Sequence, residues 1–257
     1  MSARPRSHLD PVLLLHGQPG GAHDWDRVTA AMAGRATAIA IDRPGWGRAS
    51  GTAGGLAPNA RAALFALDRA GAARAIVVGH SFGGAVAAWL AAEHPDRVIA
   101  LVLASPSANG ASLYKLDHLL AARVIGDALV VAAVGGPGLV LAVPPARRMI
   151  SARLGLAEDY LLRAGAALRA PRAWRAFVTE QRALIDDLPA LEQRLGRIST
   201  PTTVVIGAHD WVVPAGSARR LAGQIPGARL VEVPGAGHLL PQRQAPRLAE
   251  LIVALGG

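Results

Sequence analysis

The chain has 257 residues, 51% hydrophobic and 18% charged, and no cysteine. That length suits one large domain carrying an insertion, the composition excludes a disordered chain, and the missing thiols exclude disulfides and thiolate metal sites. The formal net charge of +9 comes from 26 Arg and a single Lys, Lys115; residues 107–197 hold 12 basic and 8 acidic groups, the remainder 15 and 10. Neither part forms a basic stripe, and five Trp, two Tyr and three Phe offer few stacking rings, so no nucleic-acid partner is expected.

In chain order, short β-branched apolar runs alternate with helix-like segments. Strands are predicted over residues 11–16, 37–41, 75–79 and 98–104, with helices over 25–33, 57–70 and 82–93 between them. The rhythm returns with strands over 202–206 and 229–233 and helices over 215–224 and 246–255. Continuous apolar strands separated by helices predict a doubly wound, mostly parallel α/β sheet, its functional loops at the carboxyl ends of the strands. Between Pro106 and Ser199 the alternation stops. Helical spacing over 113–125, 139–154 and 174–188 marks this stretch as a helical insertion between two core strands.

Two apolar runs bear on location. Residues 12–15 are too few for a secretory leader. Residues 128–143 are interrupted by Gly135-Gly136-Pro137-Gly138 and fall short of the ~20 residues of a membrane span. A soluble, cytoplasmic protein without a membrane span is expected.

The segment "GHSFGG", residues 79–84, contains G-x-S-x-G at the join of a predicted strand and a predicted helix. That context fits a nucleophile elbow, a tight turn that lifts the Ser81 hydroxyl above the sheet. Gly79 and Gly83 flank it because a side chain at either place would clash. A phosphate loop is excluded by Ala85-Val86 where Lys and Ser/Thr would stand, and Gly45-Trp46-Gly47-Arg48-Ala49-Ser50 breaks a dinucleotide fingerprint at its last glycine. A nucleophilic serine needs a base and an orienting acid, in the chain order Ser, Asp or Glu, His. His238, in "VPGAGHLL", follows the last strand; Asp210, in "VVIGAHDWVVP", follows the strand before it. The loop after residue 104 offers Ser105-Pro106-Ser107 and no carboxylate. His80 is read as pointing away from the site and His16 as a structural loop residue. For the oxyanion, the Phe82 N–H and the Gln18 N–H in "HGQPGG" are the expected donors, Pro19 having none.

These pieces, with "LLLHGQPG", "IDRPGWGRAS" and "VVGHSFGGAVAAWLAAEHPDRVIALVLASP", resemble the α/β-hydrolase fold superfamily in its capped, serine-nucleophile branch. The resemblance implies a core of residues 1–106 and 198–257, a helical cap at 107–197, and structural roles for Asp42 and Arg43. Members begin with an antiparallel hairpin before the "HG" strand; with about ten residues preceding it here, that hairpin is missing or reduced.

Serine at the elbow, where relatives acting on halides and epoxides carry aspartate, implies an acyl-enzyme on Ser81. His238 would act as general base and acid, and Asp210 would hold its tautomer. The expected substrate is a small to medium, lipophilic carboxylic ester or related carbonyl compound. The apolar insertion residues 129–131 and 139–141 are read as its lid, or alternatively as packing between cap and core. No cofactor and no metal are expected, the histidines lacking ligand spacing. Carbon–carbon bond hydrolysis, perhydrolysis and natural-product lyase or cyclase chemistry use the same scaffold, as do receptor-like proteins that bind a ligand without turnover.

Overall fold

Strands built almost wholly of Val, Ile, Leu and Ala need cover on both faces, and the fold supplies it. A computed structural model describes residues 9–255. Six strands, β1 (Leu9–Leu15), β2 (Ala36–Ile41), β3 (Ala75–His80), β4 (Val98–Ala104), β5 (Thr202–Gly207) and β6 (Arg229–Val233), form one sheet in the order β2-β1-β3-β4-β5-β6. Every neighbouring pair is parallel. No antiparallel strand occurs among the described residues; residues 1–8, on which part of the hairpin reading falls, lie outside them.

Helices α1 (Asp26–Ala31), α2 (Leu56–Arg69) and α3 (Phe82–Glu93) connect the first four strands. The insertion after β4 is α4 (Lys115–Ala121), α5 (Ile125–Val130), α6 (Gly136–Ala142), α7 (Pro144–Leu154), α8 (Glu158–Arg169) and α9 (Pro171–Leu195). The chain then closes with α10 (Ala215–Gln224), α11 (Leu240–Arg243) and α12 (Ala245–Leu255). On one face of the sheet Leu13, Leu15, Val77, Leu103 and Ile206 pack with α2, α3, α9 and α10. On the other, Leu14, Ile76, Val78, Val102 and Val205 pack with α1, α11 and α12. Ten of the twelve residues of α3 are buried, so this helix lacks the polar stripe of a surface helix and reads apolar all round. The strand order reverses direction between β1 and β3, and the crevice above that switch point is where such sheets place ligands.

The insertion refines or departs from expectation in three places. α8 lies between the two segments, 139–154 and 174–188, where helical spacing was read, in a stretch expected to be helical without bounds of its own. α9 runs through Pro189, where the predicted helix stopped. Pro189 forfeits one backbone bond, but Leu188, Leu191 and Leu195 are buried against the core, and that burial outweighs the break. The Gly-Gly-Pro-Gly interruption is not a break either. A π-helical turn at Val131–Gly135 joins α5 to α6, so helical structure is continuous over Ile125–Ala142.

That long helix divides the residues read either as a lid or as packing between cap and core. Val130, Val134, Gly138 and Leu141 form its inward stripe, whereas Leu129, Val131, Leu139 and Val140 face outward. None of these outward residues lines the two cavities described below. Its α6 part packs on α8 at a glycine contact: a Cβ on Gly165 would lie 2.7 Å from Leu141 Cβ, and one on Gly138 3.0–3.1 Å from Arg169 and Gly165.

Candidate active site

Ser81 stands between β3 and α3 with φ 53° and ψ −120°, a conformation that only glycine adopts without strain. Its surroundings enforce it. The Ser81 N–H donates to Ala104 O (3.0 Å), and Ser81 O accepts from the N–H groups of Gly84 (2.9 Å) and Ser107 (3.1 Å). A Cβ on Gly79 would lie 2.1 Å from Gly83 O, and one on Gly83 2.3 Å from Leu15 O, so both positions require glycine. The loop after β1 passes directly over the serine: Gly17 leaves no more than 3.0 Å between a Cβ of its own and Ser81 Cβ. Phe82 opens α3, so its N–H is one of the helix's free donors, turned toward the same crevice end of the sheet as Gln18.

Asp210 and His238 come from the loops after β5 and β6, and the structure brings them together. His238 Nδ1 lies 3.0 Å from Asp210 Oδ2 and 3.2 Å from Oδ1. The two loops approach because Gly207 has no side chain: a Cβ there would fall 2.4 Å from Ala236 O. Asp210 Oδ1 also accepts the N–H groups of Val212 and Val213, both at 2.9 Å. Burial works to raise the carboxyl pKa, but the hydrogen bond and charge of His238, aided by the Val213 N–H, outweigh it and hold Asp210 below the ordinary carboxylate value. No hydrogen bond joins Ser81 Oγ to the His238 ring among the described residues.

His80 does not point elsewhere. Its ring lies 4.7 Å from that of His238, centroid to centroid, and its Nε2–H donates to His238 O at 2.9 Å. Burial, then the neighbouring His238, lowers its pKa to about 3, so His80 is a neutral imidazole that positions the His238 backbone. No sequence signal separated this role from that of an idle elbow residue. His16 is fully buried and structural: its Nε2 accepts the Arg43 N–H (3.0 Å), and burial followed by the Arg43 charge holds its pKa well below normal.

Arg43 is the bracket behind the loop that follows β1. Its guanidinium donates to His16 O (2.9 Å) and Gly17 O (3.0 Å), and its Cζ lies 4.6 Å over the Phe82 ring. It is 1% exposed and pairs in bidentate fashion with Glu180 on α9, itself fully buried. Asp42 holds the adjoining loops through the N–H groups of Ala22 (2.8 Å) and Arg48 (2.9 Å). Next to Glu180, Gln181 Oε1 accepts from Gln18 Nε2 (2.7 Å), and its own Nε2 donates to Asp117 on α4 (3.1 Å). The Gln18 side chain therefore reaches the insertion rather than standing free. Sequence reasoning missed Glu180 and Gln181. The signal was present: Glu180 lies four residues from both Ala176 and Leu184, on the apolar stripe of α9.

Ser81 is 5% exposed and lines neither of two cavities at the edge of the insertion. The larger, about 640 Å³, lies between the 45–53 loop and Arg172, Arg175 and Thr179 of α9. The smaller, about 160 Å³, adjoins the loop after β1 at Pro19 and Gly20 and is walled by Trp46, Tyr160 and Leu168.

A parallel sheet with a strained serine elbow at its switch point defines the α/β-hydrolase class of architecture. The chain belongs to the alpha/beta hydrolase fold family, whose model matches residues 10–241. It is 33% identical over 241 residues, 88% of this chain and 84% of the relative, to RutD of Klebsiella pneumoniae (strain 342), a protein named provisionally as a carbamate hydrolase. It is 28% identical over 242 residues, 89% of this chain and 81% of the relative, to 2-hydroxy-6-oxo-6-phenylhexa-2,4-dienoate hydrolase of Burkholderia cepacia. Among solved structures, a hydrolase from Pseudomonas aeruginosa PA01 superposes with a TM-score of 0.77 at 28% identity, covering 98% of this chain and 91% of that one.

Proposed function

We propose that this chain is a serine hydrolase that cleaves a small to medium carboxylic ester or carbamate through an acyl-enzyme on Ser81. The observation that carries the reading is the 3.0 Å His238–Asp210 pair in the loops beside a serine held at φ 53°. Ser81 Oγ attacks the carbonyl carbon while its proton passes to His238 Nε2. The Gln18 and Phe82 N–H groups receive the oxyanion, and His238 returns the proton to the departing group, the alcohol of an ester or the alcohol or amine of a carbamate. Water then attacks the acyl-enzyme, giving its proton to His238, and Ser81 is released. Residues 107–197 act as the cap. The ester class is supported by the serine elbow and the carbamate alternative by the RutD relative.

A panel of p-nitrophenyl esters of increasing acyl length tests this reading, with labelling by a fluorescent serine-directed phosphonate alongside. Turnover and labelling are expected in the native protein and in neither case after Ser81→Ala; labelling that survives the substitution would sink the assignment. A receptor-like protein would take up ligand and show no turnover at all.

Asp210→Asn is expected to lower kcat by about 10⁴-fold, because an amide favours the wrong His238 tautomer. Asp210 also links stability to pH. A carboxyl depressed in the folded state contributes stability that is complete above its unfolded pKa of about 3.9 and is lost as pH falls through the lower folded value. Acid denaturation followed by circular dichroism should therefore shift toward neutral pH in Asp210→Asn.

A further inference from the structure

The surface of the insertion is unlike the rest of the molecule. Of sixteen large hydrophobic side chains exposed among the described residues, thirteen lie between Tyr114 and Leu162. Residues 128–146 contain no polar side chain of any kind. The helical stretch Ile125–Ala142 has a mean hydropathy of 1.8, yet only 28% of it is buried. Val124 is 80% exposed, Ile125 61% and Leu139 64%. A concentration of exposed apolar side chains of this kind on a folded domain marks an interaction surface.

Charge decides what it meets. From residue 128 to residue 157 there is no acidic residue, while Arg147, Arg148 and Arg153 fall in that span and Arg123 precedes it. Asp127 is engaged by Arg182 at 2.6 Å, and Glu158 is shared by Arg147 and Arg148 at 3.8 and 4.0 Å. Neither Arg123 nor Arg153, both exposed, pairs with a carboxylate among the described residues. Two copies of this face brought together would oppose their basic rims. An anionic lipid surface complements both features at once: apolar side chains enter the boundary between headgroups and acyl chains, and the arginine stems snorkel toward the phosphates. The helix cannot serve as a span without leaving its partners, because Gly138 and Leu141 lock it onto α8.

We propose that the outward face of α5–α7 seats this protein on anionic lipid bilayers, with the insertion downward and the sheet in water. The proposal stands apart from the hydrolase reading, since it concerns none of the residues assigned to catalysis.

Co-sedimentation with phosphatidylcholine vesicles, with and without phosphatidylglycerol, tests it. The protein is expected to partition onto the anionic vesicles on the order of tenfold more strongly than onto neutral ones. A triple variant, Val131→Glu, Leu139→Glu and Val140→Glu, should reduce that partitioning by on the order of 100-fold. The double variant Arg123→Gln and Arg153→Gln, two exposed polar exchanges that keep the fold, should abolish the preference for anionic lipid and spare the residual binding. Unchanged thermal melting of each variant ensures that the loss belongs to the face. Absence of vesicle binding by the native protein overturns the proposal. So does a native dimer, seen by sedimentation velocity, that the glutamates dissolve, which would give the face to a second copy of the chain.

Discussion

Replacing Ser81 by alanine is expected to lower kcat/KM on a short p-nitrophenyl ester by about 10⁴-fold or more, leaving the melting temperature nearly unchanged. The rate loss follows from removing the nucleophile of a unit whose members act together. The unchanged stability follows from the backbone: alanine carries the same Cβ as serine and stays strained at φ 53°. Ser81→Gly separates the two effects. It should be equally inactive, yet more stable by about 1–3 kcal/mol less the added unfolded-state entropy of glycine, because only the Cβ makes this conformation costly. Differential scanning calorimetry of the two variants reads the difference. If Ser81→Gly is no more stable than Ser81→Ala, the elbow holds no strain.

Glu180→Ala is expected to be the most damaging single substitution outside the catalytic residues, costing about 3–5 kcal/mol. Burial of a charge is costly unless a partner offsets it, and Arg43, 1% exposed, has Glu180 as its carboxylate partner. Without that partner the guanidinium would keep its bonds to Asn59, His16 O and Gly17 O but remain an uncompensated buried charge. Because Arg43 also lies over Phe82, the proposed oxyanion donors lose their support, and kcat should fall with KM little changed. Urea denaturation and steady-state kinetics on Glu180→Ala and Glu180→Gln measure both effects. The amide should retain part of the hydrogen bonding but not the charge, and fall between alanine and the native residue. Native-like stability in both variants would show that Arg43 finds solvent when unpaired.

The sheet was legible in the sequence because its strands are covered on both faces: runs such as Ala75-Ile76-Val77-Val78 have no solvated side to alternate with. The predicted bounds of α3, β4, α10 and β6 agree with the structure to the residue, each being punctuated at one boundary by a Pro or charged residue: Glu93, Arg97, Pro214 and Pro234. Helices of the insertion were less legible. Pro189 and Gly-Gly-Pro-Gly are strong local breakers, but tertiary burial of Leu191 and Leu195, and a π-turn that absorbs the glycines, carried the helices past them. The lid residues illustrate the same limit. Apolar character marks a side chain for burial, but the direction in which Leu139 and Val140 point depends on the glycine contact between α6 and α8.

The sequence by itself determined the parallel α/β architecture, the loops that carry Ser81, Asp210 and His238, and the glycines on which the elbow depends. These are properties of spacing along one chain segment, where periodicity and turn chemistry act locally. Only the tertiary structure decided that the His80 ring packs against that of His238, that Glu180 neutralises Arg43 across 137 residues of chain, and that the most apolar helix turns its flank outward. Such pairings bring together side chains from distant segments. Their partners are chosen by packing and charge compensation in three dimensions, which no local pattern records.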